Sequence, residues 1–138
     1  MEMKLTRKGE YAILGITYIA QQEKGFIYTK EIADAWGLPE SFLAKIFQCL
    51  SKKGILNSHK GVSGGFSLAR PVERITLKEI LDVVQGPTTI GWCEIGNVKC
   101  DRFQDCALSH VLDGVRDNMK RAFKSTTIAD LSKKKMVR

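Results

Sequence analysis

From Thr29 to Pro71 the chain is punctuated so tightly that few folds can accommodate it. Thr29 is placed to cap a short helix over Lys30–Trp36, with Glu31 and Asp34 where carboxylates meet the positive end of a helix. Gly37 stops that helix, and Leu38-Pro39-Glu40 forms a turn whose proline presets the next start. A longer helix runs from about Glu40 to Lys53, with Phe42, Leu43, Ile46, Phe47 and Leu50 as its buried stripe and Gly54 at its end. Two strand candidates follow, Ile55-Leu56-Asn57-Ser58-His59 and Phe66-Ser67-Leu68-Ala69-Arg70, the second closed by Pro71. Between them lies Lys60-Gly61-Val62-Ser63-Gly64-Gly65.

Helix, short turn, helix is the arrangement of a helix-turn-helix, whose second helix enters the major groove of DNA. Helix pairs joined by tight turns also occur in proteins that never meet DNA. The glycine-rich hairpin directly after the second helix favours the first reading. It has the form of a wing, whose tip rests along the phosphate backbone or minor groove. Its glycines also suit a plain hairpin turn, but their position beside His59 and Lys60 favours the wing. A phosphate-cradling nucleotide loop would need a helix opening after Gly65, and the sequence has none there. Opposite its apolar stripe, the second helix presents Ser41, Ala44, Lys45, Gln48 and Lys52. Gln48 can read adenine, and Lys45 guanine or a phosphate; the lysines equally suit a solvated surface. The candidate DNA contacts are Thr29, Ser41, Lys45, Gln48, His59, Lys60 and Ser63. Cys49, close to the apolar side, reads as a small buried hydrophobe.

The flanks are helical. Thr6 caps a first helix that ends before Gly25, with Leu5, Ala12, Ile13, Ile16, Ile19 and Ala20 on one apolar face, and Phe26-Ile27-Tyr28 is a short extended piece. Thr76 caps a helix over Leu77–Gln85 in a near capping box with Glu79, and Gly86-Pro87 ends it. From about Cys106 the helical period returns in Leu108, Val111, Leu112, Val115, Met119, Ala122 and Phe123. That stripe is about 28 Å long at 1.5 Å per residue. One winged-helix domain hardly needs so long an extra stripe, so it predicts pairing with the same helix of a second subunit in a two-fold homodimer. Packing within the chain is the alternative. Thr127–Leu131 makes one further turn. The expected fold is mainly α with a small β wing. It comprises a winged helix-turn-helix at 1–86, a cysteine loop at 87–105, a dimerisation helix with a short terminal helix at 106–132, and a basic tail at 133–138.

Cys93, Cys100 and Cys106 fall within one short polar stretch, and the residues between them, Glu94 to Asp105, show no helical or strand period. Three thiolates from one loop suit an iron–sulfur cluster. Zinc suits them less well, since zinc sites usually contain a close Cys-x2-4-Cys pair. Lys4, Arg7 and Lys8 before the apolar run Tyr11–Ala20 imitate a secretion signal, but Glu10 stands at its entry and Gln21-Gln22-Glu23 replace a cleavage site. No apolar run reaches membrane-spanning length. A cytoplasmic protein without membrane attachment is expected, where cysteines serve metal or redox chemistry rather than structural disulfides. The net charge of +7 hints at nucleic acid only weakly: Lys133, Lys134, Lys135 and Arg138 supply four of it, leaving +3 for the body.

The chain resembles the Rrf-two family of bacterial winged-helix repressors, of the IscR and NsrR type. The resemblance lies in Lys4-Leu5-Thr6-Arg7-Lys8-Gly9-Glu10-Tyr11-Ala12, in Ile32-Ala33, in Leu43-Ala44-Lys45-Ile46-Phe47-Gln48-Cys49-Leu50, in Lys60-Gly61-Val62-Ser63-Gly64-Gly65-Phe66 and in the cysteine triad. It extends from about residue 3 to residue 131. It implies a homodimer on a palindromic operator, carrying a 2Fe–2S or 4Fe–4S cluster at Cys93, Cys100 and Cys106 whose loss, oxidation or nitrosylation changes DNA affinity. Many members take a fourth ligand from a histidine three residues after the third cysteine; here that position is Ser109, and His110 comes one later. Another branch uses an acidic residue in the first helix of the partner subunit, and Glu10 occupies that position. A base-reading carboxylate of some members matches Ala44, so operator preference is expected to differ.

The resulting expectation is a cluster-sensing regulator, a repressor on the family pattern. A DNA-binding regulator using zinc or a thiol–disulfide couple at the same cysteines is the alternative. An iron–sulfur electron carrier is less favoured, because carriers need no winged helix and use four cysteines. An enzyme is not expected: the two histidines lie far apart in sequence and no nucleophile–base or paired-carboxylate pattern occurs.

Overall fold

The first helix explains how the others are placed. In the computed structural model, which describes residues 5–22, 25–60, 64–86, 94–95, 98–99 and 107–133, helix α1 spans Arg7–Gln21. The Thr6 hydroxyl caps it by accepting from the Gly9 N–H, and Glu10 lies in its first turn. Ala12, Ile13, Leu14, Ile16, Thr17 and Ile19 are all buried, so the helix is enclosed on more than the single face expected. Leu5 precedes the helix and is exposed, unlike its expected place on the apolar face. Gly9 and Gly15 let neighbours approach closely. A Cβ at Gly15 would overlap the Phe47 ring, and one at Gly9 would overlap the end of Gln85.

Helix α2 (Thr29–Trp36) ends at Gly37, whose φ of 65° is the left-handed conformation that glycine adopts at no steric cost. Helix α3 (Glu40–Lys52) buries Leu43, Ile46, Phe47 and Leu50, with Phe42 half-buried, as the periodicity predicts. Each fully buried Leu, Ile or Phe contributes about 1.5–3 kcal/mol from removing its surface from water. Strands β2 (Leu56–His59) and β3 (Gly65–Leu68) form the wing, with Leu56 opposite Leu68 and His59 opposite Gly65. Strand β1 (Ile27–Tyr28) pairs antiparallel with β3 through Ile27 and Phe66, giving the sheet order β1-β3-β2. Phe66 meets Phe47 edge-on at 5.3 Å and thereby seats the wing on α3.

A 3₁₀ turn at Val72–Arg74 leads into helix α4 (Leu77–Gln85), capped by the Thr76 hydroxyl as expected. Strands β4 (Glu94–Ile95) and β5 (Val98–Lys99) pair antiparallel, so the cysteine stretch contains a hairpin where no strand period was expected. Two-residue strands are too short to display alternation; the available signal was the Gly96-Asn97 pair in the sequence between them. Helix α5 spans Ala107–Ser125, and helix α6 (Ile128–Ser132) follows with a full capping box between Thr127 and Asp130. The Thr127 backbone N–H and hydroxyl, in that order, hold the Asp130 carboxyl below its usual value.

The terminal turn is not peripheral. Ile75 O accepts from the Ile128 N–H and Thr126 O from the Leu77 N–H, both at 2.9 Å, and Thr76 bridges to Thr127. Ile128 is fully buried where α6 packs on α1 and the 3₁₀ segment. The N-terminal winged helix and the C-terminal turn therefore share one core. The architecture is a winged helix-turn-helix followed by a long helix.

Candidate nucleic-acid interface and cysteine loop

The punctuation of residues 37–65 has a geometric consequence. Helix α3 lies beside the wing, and between them runs a groove of about 290 Å³ lined by Thr29, Glu40, Ala44, Gln48, Ser58, His59, Lys60, Gly64, Gly65 and Phe66. Four of the seven sequence-derived contacts, Thr29, Gln48, His59 and Lys60, converge there. Ser41 and Lys45 are exposed on the adjoining face of α3, outside the groove lining. Ser63 lies outside the described residues.

The groove residues differ in their freedom. Gln48 and Lys60 are exposed. The His59 Nε2 lies 2.8 Å from the Ser67 Oγ, and its ring packs edge-on against Phe26 at 4.7 Å, so the imidazole is held to the wing. Thr29 is only 3% exposed, and its backbone N–H donates to Gly64 O at 3.4 Å. It is the first residue of α2, not the expected cap; Tyr28 takes the cap position without a side-chain bond. Thr29 thus joins α2 to the wing. Ala44 was expected on this face though not as a contact, and Glu40 was not expected there. With Gln48 they stand at four-residue spacing, which places them on one helix face, and that spacing was the available signal. Cys49 is exposed, contrary to the buried position expected, because it falls between the apolar stripe and the groove face.

Pairing of Glu94 with Lys99 bears on the cysteines, since these two residues are the chain neighbours of Cys93 and Cys100. Cys106 immediately precedes α5. The three cysteines themselves lie outside the described residues. Among the described residues no three His, Cys, Asp or Glu side chains gather to hold a metal. The donor chemistry still fits an iron–sulfur cluster: three soft thiolates, in a segment between the end of α4 and the start of α5. Glu10 is half-buried, and its side chain makes no hydrogen bond or ion pair among the described residues. His110 is exposed in the first turn of α5.

Along α5, Leu108, Val111 and Val115 are 52%, 62% and 44% exposed, whereas Phe123 packs on the winged-helix core. Among the described residues the first half of the expected stripe thus presents Leu108, Val111 and Val115 outward, while Leu112, Met119 and Phe123 are partly buried. No helix among the described residues is long and apolar enough to cross a membrane.

The family model described as Rrf2, iron-dependent transcriptional regulator, matches residues 5–134. A putative HTH-type transcriptional regulator of Aquifex aeolicus is 34% identical over 88% of this chain and 85% of its own length. Among solved structures, the global cysteine regulator CymR of B. subtilis is 26% identical with a TM-score of 0.75, covering 96% of this chain and 98% of that one. IscR of T. potens is 27% identical with a TM-score of 0.75, covering 100% and 95%. With a helix-turn-helix and a wing in place and the family pattern matching nearly the whole chain, the protein belongs to the Rrf2 family of winged-helix transcriptional regulators.

Proposed function

We propose that this chain is a homodimeric, cytoplasmic repressor that reads a palindromic operator and answers to a 2Fe–2S or 4Fe–4S cluster held at Cys93, Cys100 and Cys106. The observation that carries the DNA reading is the α3–wing groove, with exposed Gln48 and Lys60 on its two walls and Lys45 beside it. Gln48 presents an amide suited to adenine, while Lys45 and Lys60 supply charge for guanine or phosphate. Ser41 and Ser63 extend the contact along the helix and the wing, Thr29 ties the wing to the start of α2, and His59, held to the wing, faces the same groove. The exposed Leu108, Val111 and Val115 support pairing of α5 with its copy, which would set two α3 helices on successive half-sites.

For the cluster, the support is the donor set and the family description as iron-dependent. A bound cluster supplies an iron centre sensitive to oxidation and small reactive ligands. The three thiolates tie the segment after Gly86 to the start of α5. The fourth donor is Glu10 of the partner subunit, with His110 as second choice. The place of Glu10 in the first turn of α1, at the position of the family's acidic ligand, supports that order. A second reading, a thiol–disulfide switch at the same cysteines, is favoured by the hairpin register, which pairs the chain neighbours of Cys93 and Cys100.

The absorption spectrum of anaerobically purified protein separates these readings: cluster protein is brown, while zinc and thiol forms are colourless. Glu10→Ala is expected to perturb that spectrum and uncouple DNA binding from cluster state, with His110→Ala near neutral. The reverse pattern would transfer the ligand role to His110. On the DNA side, Lys60→Ala is expected to weaken binding to all sequences and to reduce the salt slope by about one counterion. Gln48→Ala is expected instead to lose about 1–3 kcal/mol of discrimination at one base pair. Titrations at several salt concentrations against single-substitution operators check both; salt-independent binding would refute the phosphate role.

A further inference from the structure

The N-terminus of α1 is tied to the root of the cysteine segment by one side chain. Gln85 is the last residue of α4, two positions before Pro87, where the cysteine segment begins. Its Oε1 accepts from the Thr6 backbone N–H at 2.9 Å and from the Thr6 hydroxyl at 2.8 Å. The Thr6 Oγ1 in turn accepts from the Gly9 N–H at 3.1 Å, closing the cap of α1. Both groups facing Gln85 are donors, so its amide must present the oxygen. The clamp also needs Gly9. A Cβ at that position would overlap Gln85 Oε1, lie 2.8 Å from its Cδ and come within 3.1 Å of Leu81 Cδ2. A glycine within a helix costs about 1 kcal/mol relative to alanine, and here the missing methyl is the space the amide occupies.

One turn of helix separates this clamp from Glu10. We infer that Gln85 is a positioning residue that fixes the root of the cysteine segment on the capped start of α1, so that a change in that segment is passed to the helix carrying Glu10. The inference rests on the cluster reading above. Cluster-dependent order in the first turn of α1 then requires an acceptor at position 85 and no side chain at position 9. Thr6 is exposed and the hydrogen bonds lie at the surface, so their contribution to overall stability is modest while their contribution to geometry is specific.

The test is amide hydrogen exchange at residues 6–10 in apo and cluster-loaded protein. Cluster loading is expected to slow exchange there ~10-fold in the wild type and in Gln85→Glu, whose carboxylate keeps the acceptor. In Gln85→Met and in Gly9→Ala the slowing is expected to fall below ~2-fold, with thermal midpoints of the apo proteins close to the wild type. Gly9→Ala removes the clamp without altering residue 85 and raises helix propensity, so a merely destabilising explanation predicts the opposite trend. A brown wild type whose cluster dependence survives in Gln85→Met overturns the inference alone. A colourless wild type overturns the cluster reading, and the inference with it.

Discussion

Replacing any one of Cys93, Cys100 or Cys106 by alanine is expected to remove most of the visible absorbance and bound iron of anaerobically purified protein. Cys49→Ala is expected to leave both intact. The contrast separates the cysteine segment from the rest of the chain, since Cys49 is exposed on α3 and stands apart from the triad in sequence. A cysteine thiolate that ties a cluster iron to the protein has no substitute in the variant, and water cannot replace it as a soft ligand. The effect on colour should therefore be nearly complete for each variant. Iron quantification beside the spectrum guards against a change of cluster type. A colourless Cys49→Ala with a fully coloured Cys100→Ala would defeat the assignment.

The second large effect concerns the α1–α3 contact. Phe47→Ala is expected to destabilise the fold by about 3–5 kcal/mol, because the ring is fully buried and touches both α1 and the wing. Gly15→Ala sets two opposing terms against each other. Helix propensity favours alanine by about 1 kcal/mol. Against this, the new methyl would overlap the Phe47 ring and lie 2.7 Å from its Cε1, and overpacking of this kind costs about 1–3 kcal/mol. The ring is closed in and has nowhere to retreat, so the steric term wins and the variant is expected to be destabilised. In the Phe47→Ala background the overlap is gone, and Gly15→Ala is expected to become neutral or stabilising. Urea denaturation of the four proteins in the cycle measures this reversal of sign. Additive effects would mean that α1 and α3 do not meet through this pair.

These contacts mark the boundary between what local chemistry encodes and what it does not. Thr6, Thr76 and Thr127 cap helices where the residues alone indicate starts, and Gly37 ends α2 in the conformation its neighbours demand. The α3 stripe of Leu43, Ile46, Phe47 and Leu50 is buried as its spacing predicts, and the wing strands lie within a residue or two of their expected bounds. Each of these depends on hydrogen bonds or side-chain rows three or four residues apart, so a short window of sequence contains the whole cause.

The remaining features depend on partners far along the chain. Nothing near Ile27 announces that β1 pairs with β3 across the wing, and nothing near Ile128 announces a place in the core beside Ile75. Glu40 lines a groove only because the wing lies beside α3, and Cys49 stays exposed beside that groove face. The exposure of Leu108, Val111 and Val115 is likewise a tertiary outcome. The apolar period of α5 is visible in sequence, but which half α4 and the core cover follows from where Thr126 and Ile128 are pinned. Sequence by itself determined the helix-turn-helix, the wing and the cysteine triad, since caps, turns and ligand types act over a few residues. Only the tertiary structure decided which faces meet. That choice rests on the summed burial and close approach of elements far apart in the chain, such as Gln21 beside Ser132, 111 positions on, and no short stretch of residues carries it.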